Sequence, residues 1–108
     1  MPKDRPNILW LMTDEQRTDS LGFYGSGWAR TPNLDRLAEE GTVYRNAVTP
    51  APVCVPARLS LLTGQYPHET RIWWNRPALG ELPHLTQAFE RAGYRTASFG
   101  KQHYLTPN

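Results

Sequence analysis

The chain has 108 residues, 39% hydrophobic and 20% charged, and its 12 basic and 10 acidic side chains leave a net charge of +2. That composition is ordinary for a globular protein, and a chain of this length hides roughly 65% of its extended-chain surface, enough for one core. The charges are interspersed, with no Lys/Arg block or basic stripe, which argues against nucleic acid or an anionic membrane as partner.

In chain order, the first six residues are polar, and a short apolar run follows over 8–12. That run is shorter than most signal-peptide cores of about 7–15 apolar residues, and no small-residue cleavage site follows it. Nothing approaches the roughly 20 apolar residues of a membrane span, so the sequence reads as cytoplasmic. Residues 7–13 form a continuous apolar stretch without alternation, which predicts a strand covered on both faces, as in a parallel sheet. Residues 18–30, with Gly22, Gly25 and Gly27, read as loop.

Thr31 and Pro32 predict a helix start, with Leu34, Leu37 and Ala38 on one face and Gly41 closing it. Residues 42–48 alternate as a strand until Pro50 and Pro52 break it. A second helix is expected over 56–63, ended by Gly64, and a long irregular loop over 65–82 carries Pro67, Trp73, Trp74, Pro77 and Gly80. The two tryptophans read equally as pocket lining or as a cover over the core. A third helix is expected over 83–92, ended by Gly93, then a strand over 94–99 and a closing segment to Leu105. The order β, α, β, α, α, β predicts an α/β fold with a largely parallel sheet flanked by helices. No terminal element closes that sheet, which reads as part of a larger domain.

In such a sheet ligands gather outside the carboxyl ends of the strands. Three polar groups fall there: Asp14 with Glu15, then Cys54, then Lys101 with His103. Two adjacent carboxylates packed close together stay ionised only beside a cation, such as a hard divalent ion bound through oxygen; the alternative is a solvated loop start. Lys101 and His103, two apart in an extended segment, face the same way and pair a fixed cation with a titratable base. His68 and His84 read as structural.

Cys54 is the only cysteine, which excludes an intrachain disulfide and a Cys-rich zinc site. Taken alone it reads as a small buried hydrophobe. Its neighbours point elsewhere. With Pro56 fixing a helix start, Cys54 lies at the N-terminus, where the dipole favours an anion, and Arg58 falls one turn on, on the same face. A nucleophile beside a helix terminus and a guanidinium suits attack on a tetrahedral oxyanion such as sulfate or phosphate.

The run Cys54-Val-Pro-Ala-Arg58, continuing into Leu59-Ser-Leu-Leu-Thr-Gly64, resembles the signature of the formylglycine-dependent type I sulfatases of the alkaline phosphatase superfamily. The blocks Arg5-Pro-Asn-Ile-Leu-Trp-Leu-Met-Thr-Asp14, Thr31-Pro-Asn-Leu-Asp-Arg-Leu37, Gly93-Tyr-Arg-Thr96 and Phe99-Gly-Lys-Gln-His103 agree in order and spacing. The resemblance implies that residues 1–108 are the N-terminal portion of a sulfatase catalytic domain, part of an alkaline-phosphatase-like sandwich. It implies hydrolysis of a small-molecule or carbohydrate sulfate ester, with Cys54 converted to Cα-formylglycine by a maturation enzyme. It further implies Ca2+, or another divalent cation, held by Asp14, Glu15 and the modified residue 54, although Glu15 stands where many members have Asp. Arg58 would steady the hydrated aldehyde, Lys101 would bind sulfate oxygens, and His103 would deprotonate the diol. Asn75 falls where some relatives place a substrate-side Asn. A later Asp-Asn metal pair, a second His and a second Lys of the family's site do not occur in this chain. Two alternatives are a phosphonate monoester hydrolase or phosphodiesterase of the same superfamily and a truncated, non-catalytic sulfatase-like fragment.

Overall fold

The computed structural model describes residues 5–76 and 80–104, so the polar start over 1–4, Pro77 and the expected closing residue Leu105 lie outside the described residues. The chain divides into two compact units, Met1–Arg45 and Asn46–Asn108.

The first unit is built on helix α1, Pro32–Glu40, which has Pro at its first position as expected. Thr31, at the N-cap position, does not cap with its hydroxyl. Its Oγ1 instead accepts the Gly22 N–H at 2.8 Å and donates to Asp35 Oδ1 at 2.9 Å. That carboxylate oxygen also accepts the Phe23 N–H at 2.9 Å. Two 3-10 turns, Thr18–Ser20 and Gly22–Tyr24, occupy the stretch expected to be plain loop. The network explains the second of them: Asp35 and Thr31 satisfy backbone donors that the short turn leaves without partners. A Cβ at Gly22 would displace the Asp35 carboxylate from this network. No described residue of this unit is buried.

The second unit has helices α2, Cys54–Thr63, α3, Pro67–Thr70, and α4, Leu85–Arg91. Its core is Val55 and Leu59 of α2, both fully buried, with Ile72 at 8% exposure and Tyr104 packed alongside. Gly64 ends α2 in the left-handed region (φ 72°), where its N–H reaches the Ser60 carbonyl at 2.8 Å. The short helix α3 lies inside the expected loop; Pro67 begins it and the Glu69 carboxylate accepts the Tyr66 N–H at 2.6 Å. Helix α4 starts two residues later than predicted. His84 rather than Pro83 flanks it, held by Gln87 Oε1 on the His84 N–H at 3.2 Å and by Thr86 Oγ1 on Nδ1 at 2.6 Å. Past its end, Gly93 (φ 83°) closes a Schellman motif: Tyr94 N–H bonds the Phe89 carbonyl at 2.9 Å and Gly93 N–H the Glu90 carbonyl at 2.8 Å. The Phe89 and Tyr94 rings meet edge to face at 5.2 Å, supplying the apolar contact that accompanies this motif.

The strands expected over 7–13, 42–48 and 94–99 are not formed among the described residues, and these segments carry no ladder. A helix satisfies its own backbone, but a strand exists only through a neighbouring segment that takes its N–H and C=O groups. The apolar side chains of these segments accordingly stay uncovered: Leu9 is 81% and Phe99 92% exposed. Among the described residues no helix is long and apolar enough to cross a membrane.

Candidate active site around Cys54

Cys54 is the first residue of α2 and is half-buried. The helix begins there and not at Pro56, because Pro at the third position gives up an N–H that the first turn would leave unbonded anyway. Val53 precedes it in extended conformation (φ −121°, ψ 139°) and its carbonyl accepts the Ala57 N–H at 3.1 Å. Val55 and Leu59 anchor the same helix in the core, which fixes the face on which residues 54 and 58 stand.

Three contacts converge on this first turn from distant parts of the second unit. Lys101 Nζ lies 3.8 Å from Cys54 Sγ. The Arg58 guanidinium donates to the Lys101 carbonyl at 2.6 Å. Asn75 Oδ1 accepts the Val55 N–H at 3.0 Å. Arg58 thus holds the backbone at 101, and the Lys101 side chain returns to residue 54. The sulfur faces an ammonium and the positive end of a helix, with a guanidinium one turn on. Such surroundings favour an anion bound beside residue 54.

The remaining expected residues are placed differently. His103 is exposed, sits in the left-handed region (φ 64°) and makes no hydrogen bond to Cys54, Arg58 or Lys101 among the described residues. With Gly100 also left-handed (φ 86°), residues 100–103 turn, so the extended alternation expected to align Lys101 with His103 does not apply. Asp14 and Glu15 lie in the first unit, at the bend after the apolar run, with Glu15 left-handed (φ 55°). A non-glycine residue in that region carries strain, and Glu15 and His103 are two of the three such positions among the described residues.

Among the described residues no group of three or more His, Cys, Asp or Glu side chains is gathered to hold a metal. The two carboxylates are hard oxygen donors, suited in kind to a divalent cation, but they are fewer than the six to eight oxygens calcium takes. A cysteine thiolate is a soft donor, whereas a hydroxyl in its place would be a hard one. Cavities of about 380 Å³ beside Asp35 and Arg45 and about 350 Å³ beside His84 and Thr96 are not lined by Cys54. The Arg58–Lys101 carbonyl bond and the Asn75–Val55 bond carried no signal in the sequence, since each joins segments far apart in the chain.

The chain matches the family model described as Sulfatase over residues 6–106. It is similar to an ulvan-active sulfatase of Formosa agariphila, 43% identical over 92% of this chain and 20% of the relative. It is likewise similar to an N-acetylglucosamine-6-O-sulfatase of Bacteroides thetaiotaomicron (35% identical, 94% of this chain, 18% of the relative) and to human iduronate 2-sulfatase (39%, 91% and 18%). The chain spans about a fifth of the length of these relatives. No solved structure gives a significant match. The geometry around Cys54 and the match over nearly every residue agree: the chain belongs to the sulfatase family, whose fold is of the alkaline-phosphatase-like α/β class.

Proposed function

We propose that these residues are the N-terminal, nucleophile-bearing portion of a sulfatase catalytic domain, and that the whole protein hydrolyses a carbohydrate sulfate monoester at residue 54. The observation that carries this reading is the position of Cys54 in the first turn of α2, with Lys101 Nζ 3.8 Å from its sulfur. The sulfur stands in for the hydroxyl oxygen of the converted residue. After a maturation enzyme converts Cys54 to Cα-formylglycine, one hydroxyl of the hydrated aldehyde would attack the ester sulfur. The S–O bond to the alcohol would break as the alcohol leaves with a proton. Deprotonation of the second hydroxyl would then eliminate sulfate and restore the aldehyde. Lys101 offsets the charge of the incoming sulfate, whose oxygens approach where the ammonium and the helix terminus are both positive. Arg58 keeps residue 101 in place through its carbonyl and adds a second cation to the same side. His103 is assigned as the proton acceptor for the diol from its place in the block that ends Phe99-Gly-Lys-Gln-His103. Asp14 and Glu15 are the carboxylates that would hold Ca2+ or another divalent cation, whose charge would help to stabilise an anionic substrate. The names of the three relatives, which refer to sulfated sugars or polysaccharides, favour a carbohydrate ester.

The test is turnover of 4-nitrophenyl sulfate and of a sulfated monosaccharide by the whole protein, alongside a phosphodiester and a phosphonate monoester. Cys54→Ala should lower sulfate turnover at least about a thousandfold, as loss of a nucleophile does elsewhere, and a peptide mass should show residue 54 converted. Retained activity in that variant, or faster phosphodiester cleavage by the natural protein, overturns the proposal.

A further inference from the structure

We infer that Asn75 is a positioning residue for the nucleophile, because its side-chain carbonyl holds the turn on which residue 54 stands. The inference rests on the role proposed for Cys54. Helix α2 has no side-chain cap of its own: Val53 occupies the cap position and offers no oxygen. Of the first-turn donors, Pro56 has no N–H and Ala57 bonds the Val53 carbonyl. The Val55 N–H is taken by Asn75 Oδ1 at 3.0 Å, so a residue twenty positions away does what a local Ser or Asp does at other helix starts. An N–H can only donate, so this bond also fixes which end of the Asn75 amide faces the helix.

A second attachment makes the bond more than incidental. Ile72, three residues earlier, is buried in the cluster that contains Val55 and Leu59. The segment 72–75 is therefore fastened to α2 by Ile72 in the Val55–Leu59 cluster and by the hydrogen bond to Val55, the neighbour of Cys54. The distance from Lys101 Nζ to residue 54 depends on where that turn lies. A shift of about 1 Å in a reacting group costs on the order of a hundredfold in rate.

The experiment compares Asn75→Leu and Asn75→Asp in the whole protein, with activity normalised to the fraction of residue 54 converted. Removing the acceptor in the Leu variant should lower kcat about 10- to 100-fold with KM within about twofold. The Asp variant keeps an acceptor oxygen and should recover kcat to within about threefold. Unchanged kcat in the Leu variant, a rise in KM alone, or equal losses in both variants would each overturn the inference. Should the Leu variant not fold, hydrogen exchange over residues 53–59 in Asn75→Ala decides: exchange about tenfold faster supports the capping role, and unchanged protection refutes it. That readout needs no turnover, so it stands or fails separately from the Cys54→Ala result.

Discussion

The two units hold their candidate site residues by different physics. In the second, Val55 and Leu59 are fully buried, and the helix they belong to carries Cys54 and Arg58 on its other positions. Long-range bonds from Lys101 and Asn75 then meet at a turn that the core has already placed. In the first, no described residue is buried, and the folded part is a polar network in which Asp35 and Thr31 satisfy the backbone at Gly22 and Phe23. The run over 8–12 that leads to Asp14 is exposed, although its composition is that of a covered strand. Helical segments with a few apolar anchors organise a site locally. A position at the end of a strand depends on pairing between two segments, whereas a helix start is organised by its own turn.

If apolar anchoring distinguishes the second unit, Leu59→Ala should have the largest effect on stability. Truncating a buried Leu costs about 2–5 kcal/mol, and a core this small and partly open places the value near the lower end. Urea denaturation of the whole protein reads it, and a loss under about 0.5 kcal/mol, the range of surface substitutions, would show that the Val55–Leu59–Ile72 cluster does not anchor α2.

Asp35→Ala attacks the other side of the comparison. It removes the acceptor shared by the Phe23 N–H and the Thr31 hydroxyl, and the expected cost is about 1–2 kcal/mol, since bonds to a charged acceptor are worth more than neutral ones but these groups are only half-buried. Faster hydrogen exchange over residues 20–25, with 53–59 unaffected, is the signature that the network belongs to the first unit alone. A comparable effect is expected for Gly64→Ala in the second unit. At φ 72° an alanine is strained by about 1–2 kcal/mol, and nothing lies within 4 Å of the added Cβ to make matters worse. A cost near zero in thermal unfolding would mean that α2 ends without needing the left-handed cap.

The positions that were legible in the sequence are those fixed by nearest neighbours in the chain. Pro32 opening α1, Gly64 and Gly93 ending α2 and α4, and Cys54 at a helix start with Arg58 one turn on all follow from local rules about φ, missing N–H groups and helical spacing. Where reading stopped, the controlling contact was remote. The strand composition of 7–13 and 94–99 is plain, but pairing is a property of two segments, and composition names only one. Asn75 was picked out by resemblance for a place near the substrate, and its bond to Val55 joins positions 20 apart. The alignment expected of Lys101 and His103 failed because Gly100 and His103 are left-handed, and His is among the few non-glycine residues that tolerate that region. Local rules found the nucleophile; remote contacts decide what surrounds it.

The smallest effect expected is also the one that most sharply limits what polar contacts do in the first unit. Arg17 donates to both carboxylate oxygens of Asp19, at 2.9 and 2.5 Å, with both side chains exposed. The hydrogen bond from Arg17 holds the Asp19 carboxyl below its ordinary value, and the same bond raises Arg17. A depressed carboxylate contributes stability that is present above its unfolded value and is lost as the pH falls through the folded one, so at neutral pH the pair's contribution is at its full size. Water and salt screen it there, because neither partner is buried and no apolar surface depends on the pair. Asp19→Asn should therefore leave Tm at pH 7 and physiological salt indistinguishable from that of the natural protein, and should only slightly flatten the loss of stability between about pH 5 and pH 3. The difference from Asp35 is what the carboxylate touches: Asp19 bonds an exposed side chain, whereas Asp35 bonds the backbone N–H of Phe23. A Tm loss for Asp19→Asn as large as that for Asp35→Ala would mean that exposed ion pairs, and not backbone satisfaction, hold the first unit together.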